Sequence, residues 1–192
     1  MVSNIPANAA LVMIDVQQGF EREDRWGRRD NPAAEGNIEA LQSRWLDSKR
    51  PLVVVQHDSI EAGSTLAPDN PGNALKRFVD VDSAALHVHK TVNSAFYGTP
   101  NLEKWLRAND IDTIVICGIM TNICCETTAR MGGNLGFTVI FVADAMHTFD
   151  LTASTGLSLT AEELTVATIV SLDAGGFATV ATTTDVLAST AL

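Results

Sequence analysis

The chain has 192 residues, of which 46% are hydrophobic and 19% charged. This length and composition exclude a disordered chain and predict one folded domain over residues 1–192. The formal net charge of −10 opposes contact with phosphate backbones, so nucleic acid is excluded as the main partner. No apolar run approaches the ~20 residues that cross a bilayer, so we expect no membrane insertion. Three cysteines predict a reducing cytoplasmic location rather than a disulfide framework.

The first quarter of the chain predicts a strand, a loop and a helix. The apolar run Ala9–Asp15 is typical of a buried strand, and the charged residues 21–31 predict a loop. A helix is expected to begin at Asn31-Pro32, where the Asn31 side chain caps it and Pro32 takes its first position. Apolar residues at helical spacing follow until Pro51.

The middle of the chain continues the alternation. The strand Leu52–Gln56 is rich in β-branched residues, and residues 57–85 predict a long loop because they carry Gly, Pro, Asn and Asp. A short strand, Leu86–Lys90, comes next. A helix is predicted to open at Thr99-Pro100, and the apolar strand Thr113–Gly118 follows it.

The last third adds two helices and two strands. In chain order they are a helix over Asn122–Leu135, a strand over Thr138–Val142, a helix over Ala161–Leu172 that begins with a Thr160-x-x-Glu163 capping box, and a strand over Phe177–Ala181. Strands separated by helices pair in parallel, with helices on both faces of the sheet. The sequence therefore predicts an α/β fold, a three-layer α/β/α, Rossmann-like arrangement with a mostly parallel sheet.

Three features fall at the carboxyl ends of predicted strands, where sheets of this type place their sites. They are Asp15, the pair His57-Asp58 and the turn Gly118–Cys124. A carboxylate that ends an apolar strand is unfavourable unless it is paired. Asp15 is therefore either a general base with a tuned pKa or a cap that ties a loop.

The turn after Thr113–Gly118 carries two adjacent cysteines, Cys124 and Cys125. If Thr121 or Asn122 caps the following helix, both cysteines lie in its first turn, where free N–H groups favour a thiolate and can hold an oxyanion. Only one of the two side chains can face a cleft. The alternative is that both are small core residues.

Three further features of the sequence are weaker indications of a functional site. Lys90 ends a strand, where a lysine is most often solvated. His87 and His89 share one strand face, a spacing that metal sites use, although no third ligand stands at a suitable spacing. The glycine pairs do not form a phosphate-binding loop.

Four blocks of the sequence resemble the isochorismatase-like cysteine hydrolases, a superfamily that includes nicotinamidases, N-carbamoylsarcosine amidase and isochorismatase. The blocks are Leu11–Phe20, Trp26–Ala33, Lys90–Thr99 and Gly118–Arg130, and their order and spacing agree along nearly the whole chain. The strand segment Val139–Ala145 agrees as well. The resemblance implies hydrolysis of a small-molecule amide or related C–N bond without a cofactor.

The resemblance also implies site residues. The catalytic triad falls on Asp15, Lys90 and Cys124, and a non-proline cis peptide falls between Ile119 and Met120. The oxyanion hole is then formed by the amides of Met120 and Cys124. In the implied mechanism Asp15 takes the thiol proton, Lys90 favours the thiolate, Cys124 attacks a carbonyl carbon, and water hydrolyses the thioester.

One stretch departs from the nicotinamidase pattern, in which an Asp-x-His pair and a further His bind a metal. Here the stretch reads Gln56-His57-Asp58-Ser59, so we expect no metal at the site. Two alternatives to amide hydrolysis stay open, namely an isochorismatase-type ether hydrolase and a non-catalytic relative that binds a small ligand. A third, a thiol-redox protein using Cys124 and Cys125, lacks a C-x-x-C motif.

Aromatic residues supply candidate substrate contacts. Phe20, Trp26 and Tyr97 lie near the triad in the implied arrangement, and ordinary packing at a subunit interface is the alternative for them. The superfamily forms dimers and tetramers. We therefore expect a homo-oligomer, a dimer or a tetramer, that acts on a small-molecule substrate.

Overall fold

The computed structural model describes residues 5–190 and has the predicted three-layer α/β/α architecture. Its strands are β1 (Ala10–Ile14), β2 (Leu52–His57), β3 (Leu86–Lys90), β4 (Thr113–Ile119), β5 (Thr138–His147), β6 (Leu151–Thr152), β7 (Ser158–Leu159) and β8 (Thr179–Ala181). Its α-helices are α1 (Glu23–Trp26), α2 (Ala34–Asp47), α3 (Leu102–Ala108), α4 (Glu126–Asn134), α5 (Ala161–Ala174) and α6 (Thr183–Ser189). Within residues 5–190, no helix is long and apolar enough to cross a membrane.

Six strands form the central sheet in the order β3-β2-β1-β4-β5-β8, and every neighbouring pair is parallel. β6 and β7 form a separate antiparallel hairpin. The chain runs outward from β1 to β3 and then returns to β4 on the other side of β1. The strand order therefore reverses between β1 and β4, and a ligand crevice is expected beyond the carboxyl ends of these two strands.

Alternate residues of the central strands face opposite layers. In β1, Val12 and Ile14 pack on the side of α3, α4 and α5, whereas Leu11 and Met13 pack on the side of α2 and α6. All four side chains are completely buried. Because the sheet is covered on both faces, its strands read in the sequence as continuous apolar runs rather than as alternating ones.

The two strands beside the crevice approach closely at Gly118. This residue of β4 has a φ of +135° and pairs with Ile14 of β1. A Cβ atom at this position would collide with the backbone of Ile14. Glycine is therefore needed for β4 to lead, at this register, into the turn that carries Cys124.

Two helix starts differ from the sequence prediction. Asn31 does not cap α2, because the residue at the cap position is Ala33, two positions later. The Asn31 side chain accepts from the Ala33 N–H at 3.1 Å in the turn before the helix, and its amide donates to the carbonyl oxygens of Asp144 and Met146 in β5. α2 begins after it, at Ala34. The bond Thr99-Pro100 is cis and precedes α3, whose cap is the next residue in the chain.

The structure also contains elements that have no counterpart in the sequence prediction. The predicted loop 21–31 includes the helical turn α1, and β5 continues past Val142 to His147. The hairpin of β6 and β7 and the terminal helix α6 are further additions. α6 begins with a capping box formed by Thr182 and Asp185, so the sequence does carry a signal for it.

A partly buried cluster of charges ties α2 to the segments around it. Lys76 is 5% exposed, and its Nζ lies 2.6 Å from Glu35 Oε1, which also lies 2.6 Å from Arg29 Nη1. Burial raises the pKa of Glu35, but hydrogen bonds from Arg29 and Lys76 outweigh burial and lower it to about 2. Beside the cluster, His147 is completely buried, and neither ring nitrogen has a hydrogen-bond partner among residues 5–190. Burial, and then Arg29, lower the pKa of His147 to about 4.

We predict that His147→Leu removes an acid-sensitive contribution to stability. An unfolded chain protonates histidine near pH 6.5, whereas the folded chain keeps His147 neutral down to about pH 4. The folded state therefore keeps its full stability with respect to His147 above about pH 6.5. As the pH falls toward about 4, proton binding favours the unfolded chain, and the free energy of unfolding drops by up to about 3 kcal/mol. Urea unfolding at about pH 7 and about pH 5 measures it. The variant should gain stability relative to the wild type as the pH falls, and parallel curves would contradict the prediction.

Candidate active site

The carboxyl ends of three neighbouring strands bring three polar side chains together. Asp15 directly follows β1, and its φ of 53° lies in the left-handed region that non-glycine residues rarely occupy. His57 and Lys90 end β2 and β3, where the two residues are paired in register. Cys124 reaches the same point from the turn after β4. Because parallel strands end at one edge of the sheet, four residues that are distant in sequence form one cluster.

The ammonium of Lys90 lies at the centre of this cluster. Its Nζ is 2.7 Å from Asp15 Oδ2, 3.1 Å from His57 Nδ1 and 3.4 Å from Cys124 Sγ. The side chains of Lys90 and Asp15 are both completely buried, so the alternative of a solvated lysine is wrong. The other carboxylate oxygen, Asp15 Oδ1, is buried and has no hydrogen-bond partner in the described part of the chain. One acceptor therefore remains available at the cluster.

This arrangement keeps Lys90 charged and the thiol of Cys124 neutral. Burial is the largest single influence on the pKa of Lys90 and lowers it, but the charges and hydrogen bonds of Asp15 and Cys124 together outweigh burial, and the net shift is upward. Burial raises the pKa of Cys124, Asp15 raises it further, and Lys90 acts in the opposite direction. The thiol of the free protein is therefore protonated at neutral pH. This corrects the expectation that a helix N-terminus favours a thiolate at this position.

The turn that carries the nucleophile candidate is not a capped α-helix. Thr121–Cys125 form a wide, π-type turn without a side-chain cap, and α4 begins after it. The predicted cap is wrong because the Asn122 side chain accepts a hydrogen bond from Thr148, while Thr121 Oγ1 is buried without a partner in residues 5–190. The peptide bond between Ile119 and Met120 is cis, as the resemblance implies.

The two adjacent cysteines face different surroundings. Cys124 is 8% exposed and lines a cavity, whereas Cys125 is completely buried in the core. Burial raises the pKa of Cys125, and the same holds for Cys117 in β4. The expectation that only one of the pair faces a cleft is confirmed. The core-residue alternative describes Cys125.

A cavity of about 500 Å³ opens over Cys124. Besides the cluster, much of its wall is apolar and is formed by Phe20, Trp26, Ile60, Leu66, Met120 and Ile123. Arg25 and Glu61 add one charge of each sign to the wall. The cavity therefore joins an apolar surface to a buried ionic cluster.

The aromatic part of the wall is held in one orientation. Trp26 Nε1 donates to the carbonyl oxygen of Gly19 at 2.8 Å. The Trp26 ring lies 4.9 Å from that of Phe20 and 5.5 Å from that of Phe149, measured between centroids. The structure thus brings Phe20 and Trp26 to the cavity, although contact with a substrate stays a prediction for both.

Tyr97 is not brought to this cavity. The turn Ala95–Tyr97 after β3 buries Ala95 and Phe96 and directs Tyr97 outward, where it is 70% exposed. Its side chain is not part of the cavity wall. The predicted placement of Tyr97 beside the triad is therefore wrong, because the residues of this turn that face inward, Ala95 and Phe96, pack against the core.

The long loop 57–85 closes one side of the cavity and is held by buried amides. Asn73 Nδ2 donates to the carbonyl oxygens of His57 and Leu66, at 3.0 and 2.9 Å. Gln17 Nε2 donates to the carbonyl oxygens of His57 and Asn73, at 3.0 and 2.7 Å. These bonds give the loop a defined path, so its residues form a wall with fixed positions.

Two residues of the site have no role in the sequence prediction. Asn93 lines the cavity, and its Oδ1 lies 3.9 Å from Cys124 Sγ. In the sequence, His57 stands out only as a strand end and as part of the stretch compared with metal ligands, yet it contacts the ammonium of Lys90. A signal for Asn93 exists, because it stands three positions after Lys90 in a block that carries the resemblance. The contact of His57 depends on strand register, which the sequence does not show.

Asp15, His57 and Cys124 each place one donor atom within 4.8 Å of the others, a set that could hold a metal ion. However, the ammonium of Lys90 lies within hydrogen-bond distance of all three residues. A cation of the chain itself thus neutralises these donors, and a metal ion beside it would be repelled. The residues therefore do not fit a metal, and a metal-free site remains our prediction.

Comparison with known proteins gives a consistent result. Residues 9–184 match the model of the Isochorismatase domain. The isochorismatase family protein YrdC of Bacillus subtilis is 40% identical over 142 residues, which cover 74% of this chain and 75% of that protein. Nicotinamidase 3 of Arabidopsis thaliana is 41% identical over 91 residues, which cover 47% of this chain and 39% of that protein. A solved structure of an isochorismatase family protein from Chromobacterium violaceum has a TM-score of 0.91 at 36% identity, covering 98% of this chain and 96% of its own.

We predict that two substitutions change the reactivity of Cys124 in opposite directions. Asp15→Asn removes one cause of the raised pKa and leaves the Lys90 ammonium beside the sulfur. The pKa of the thiol then falls. Iodoacetamide reacts with the thiolate that is present at equilibrium, so alkylation at about pH 7 becomes about 10-fold faster, although the base of the amide reaction is lost. Lys90→Met removes the cause that lowers the pKa, so alkylation slows by a similar factor. Mass spectrometry of the modified peptide measures both rates.

Two controls accompany these rates. Cys125 lies on the same peptide, so the labelling is repeated in a Cys125→Ala background. Each variant also removes one partner of a buried ion pair, which costs about 3–5 kcal/mol, so a thermal unfolding curve must show that the protein is folded. Folded variants that are both alkylated at the wild-type rate would contradict the prediction.

Proposed function

The chain belongs to the isochorismatase family, and from this membership we propose that it is a cysteine hydrolase that cleaves a small-molecule amide or related C–N bond. The observation that carries the proposal is the position of the Lys90 ammonium between Asp15 Oδ2 and Cys124 Sγ, two residues that line the cavity. The cation thus contacts both the nucleophile candidate and the proton acceptor, and these two place their donor atoms within 4.8 Å of each other. The match to a nicotinamidase supports an amide as the substrate class.

The first step is transfer of the thiol proton from Cys124 to Asp15. Asp15 Oδ1 has no hydrogen-bond partner in the described residues, so it can accept this proton while the sulfur attacks the carbonyl carbon. The ammonium of Lys90 stabilises the thiolate as it forms. The raised pKa of Cys124 supports this order of events, because a thiol that is neutral at rest requires a base at the moment of attack.

The attack forms a tetrahedral intermediate whose oxyanion requires donors. We assign this role to the backbone amides of Met120 and Cys124, because both residues line the cavity at the turn after β4. Protonated Asp15 then gives its proton to the leaving nitrogen as the C–N bond breaks. The amine departs, and the acyl group remains on Cys124 as a thioester.

Water completes the cycle. Asp15, again a carboxylate, takes a proton from the water as the oxygen adds to the thioester carbon. The C–S bond then breaks, the proton returns to the sulfur, and a carboxylic acid leaves. The reaction consumes one amide and one water and yields one acid and one amine, so it requires no redox cofactor.

The cavity limits the substrate to a small molecule. A volume of about 500 Å³ is typical of small-ligand pockets. The rings of Phe20 and Trp26, tilted by 43° to each other, offer an apolar surface, and Arg25 and Glu61 can pair with ionic groups of a substrate. We therefore propose a compact amide with an apolar portion as the substrate.

The alternatives receive less support from the geometry. Ether hydrolysis of the isochorismatase type does not need a thiol, so an aspartate and a lysine buried against Cys124 favour the amide reaction. A thiol-redox role requires a second accessible sulfur, and Cys125 is completely buried with a raised pKa.

A substrate panel with a matched pair of variants tests the proposal. The panel contains primary amides, N-carbamoyl compounds and vinyl ethers, and the released acid is measured for each. Cys124→Ala should lower turnover of the amide that is cleaved by at least about 10³-fold, as expected for loss of a nucleophile. The control Cys125→Ala removes the adjacent thiol and should retain turnover close to that of the wild type.

Full turnover by a folded Cys124→Ala variant would remove this residue from the mechanism. Turnover confined to vinyl ethers and insensitive to Cys124→Ala would favour the ether hydrolase instead.

A further inference from the structure

His57 has no part in the mechanism above, yet the chain holds it in place with buried amides. Gln17 is completely buried and bonds the His57 backbone on both sides. The His57 N–H donates to Gln17 Oε1 at 2.8 Å, and Gln17 Nε2 donates to the His57 carbonyl oxygen at 3.0 Å. Asn73 Nδ2 donates to the same carbonyl oxygen at 3.0 Å. Two polar side chains of the interior thus position one residue of the cavity wall.

The ring of His57 receives one of the three protons of Lys90. An ammonium has three N–H bonds and no acceptor, and Lys90 Nζ has three partners, which are Asp15, Cys124 and His57. For Nδ1 of His57 to accept, the ring must be neutral and carry its own proton on Nε2. Burial, and then Lys90, lower the pKa of His57, which agrees with a neutral ring.

The opposite ring nitrogen is left for a ligand. Nε2 of His57 has no hydrogen-bond partner within residues 5–190. His57 and Cys124 line the same cavity, and a ring nitrogen of His57 lies within 4.8 Å of Cys124 Sγ. Because the ring has one nitrogen this close to the nucleophile and lines the cavity, a donor on the same ring would meet substrate atoms near the bond that is cleaved.

We propose that His57 has two roles at this site. Through Nδ1 it positions Lys90, and through Nε2–H it selects amides that carry an acceptor oxygen, from a carbonyl or a carboxylate, next to the scissile bond. The inference rests on the proposed function, since it takes Cys124 as the nucleophile. The substrate class is thereby narrowed from small amides to small amides with a neighbouring acceptor.

Three variants separate the two roles. In His57→Asn, the side-chain oxygen can take the place of Nδ1, but the donor at Nε2 is lost. In His57→Gln, the longer amide reaches the place of Nε2, but the acceptor near Lys90 is lost. His57→Leu lacks both. The control is His87→Asn, because His87 bonds Gln56 and lies outside the cavity wall.

Two measurements are made on each variant. Alkylation of Cys124 by iodoacetamide needs no substrate and reports the position of Lys90. We expect it to fall about 10-fold in His57→Leu and His57→Gln, which leave a proton of Lys90 without an acceptor, and to stay near the wild-type rate in His57→Asn.

The second measurement is the KM for two amides, one with an acceptor oxygen beside the scissile bond and an analogue without it. In His57→Asn and His57→Leu, the KM should rise about 10-fold for the first amide and stay unchanged for the analogue. His87→Asn should match the wild type in both measurements.

Alkylation of His57→Leu at the wild-type rate, or equal slowing in all three variants at an unchanged melting temperature, would overturn the positioning role. An equal change in KM for both amides would overturn the selecting role. If His57→Leu does not fold, the Asn and Gln variants alone decide, because both are polar and neutral. Failure of the proposed function has a different signature, namely turnover that survives Cys124→Ala.

Discussion

A lysine and an aspartate, both removed from water, hold the candidate site together. Burying two such charges carries a desolvation penalty of several kcal/mol per ion, which only close contact and further hydrogen bonds can offset. Here the Lys90 ammonium lies 2.7 Å from Asp15 Oδ2 and also contacts His57 Nδ1 and Cys124 Sγ. A buried ion pair contributes little net stability to a fold, so the importance of this pair lies in the positions that it gives to the two charges. It sets a cation and a free carboxylate oxygen beside one sulfur.

The rest of the fold supports that placement. The parallel register of β1, β2 and β3 brings residues from three strand ends to one edge of the sheet. Gly118 lets β4 pass close to β1, so the turn that follows delivers Cys124 to the same edge. The buried amides of Gln17 and Asn73 fasten the long loop, and this loop closes the cavity. If any one of these supports were displaced, the distance between the sulfur of Cys124 and its base, Asp15, would change. A change of about 1 Å in such a distance is enough to slow catalysis.

Much of the fold and the three central residues of the site could be predicted from the sequence. The strands are apolar runs because both faces of the sheet are covered, and Asp15, Lys90 and Cys124 stand in motifs of the right order. Features that depend on tertiary contacts could not be predicted. Asn31 lies two residues before the cap of α2 and bonds β5. Tyr97 faces outward because Ala95 and Phe96 of its turn are the residues that pack inward. The thiolate expectation failed for a related reason, since the burial of Cys124 and its contact with Asp15 follow from the fold and not from the local sequence.

The central claim is that Cys124 becomes covalently acylated during turnover. The most direct test is the intact mass of the protein after rapid acid quenching in the presence of a cleaved amide, followed by mapping of the modified peptide. We expect a mass increase equal to that of the acyl group, located on Cys124 and removed by hydroxylamine, as for a thioester. An acyl adduct on another residue would contradict the account, and so would the absence of an adduct on Cys124 when a burst of amine release shows that hydrolysis of an acyl-enzyme limits turnover.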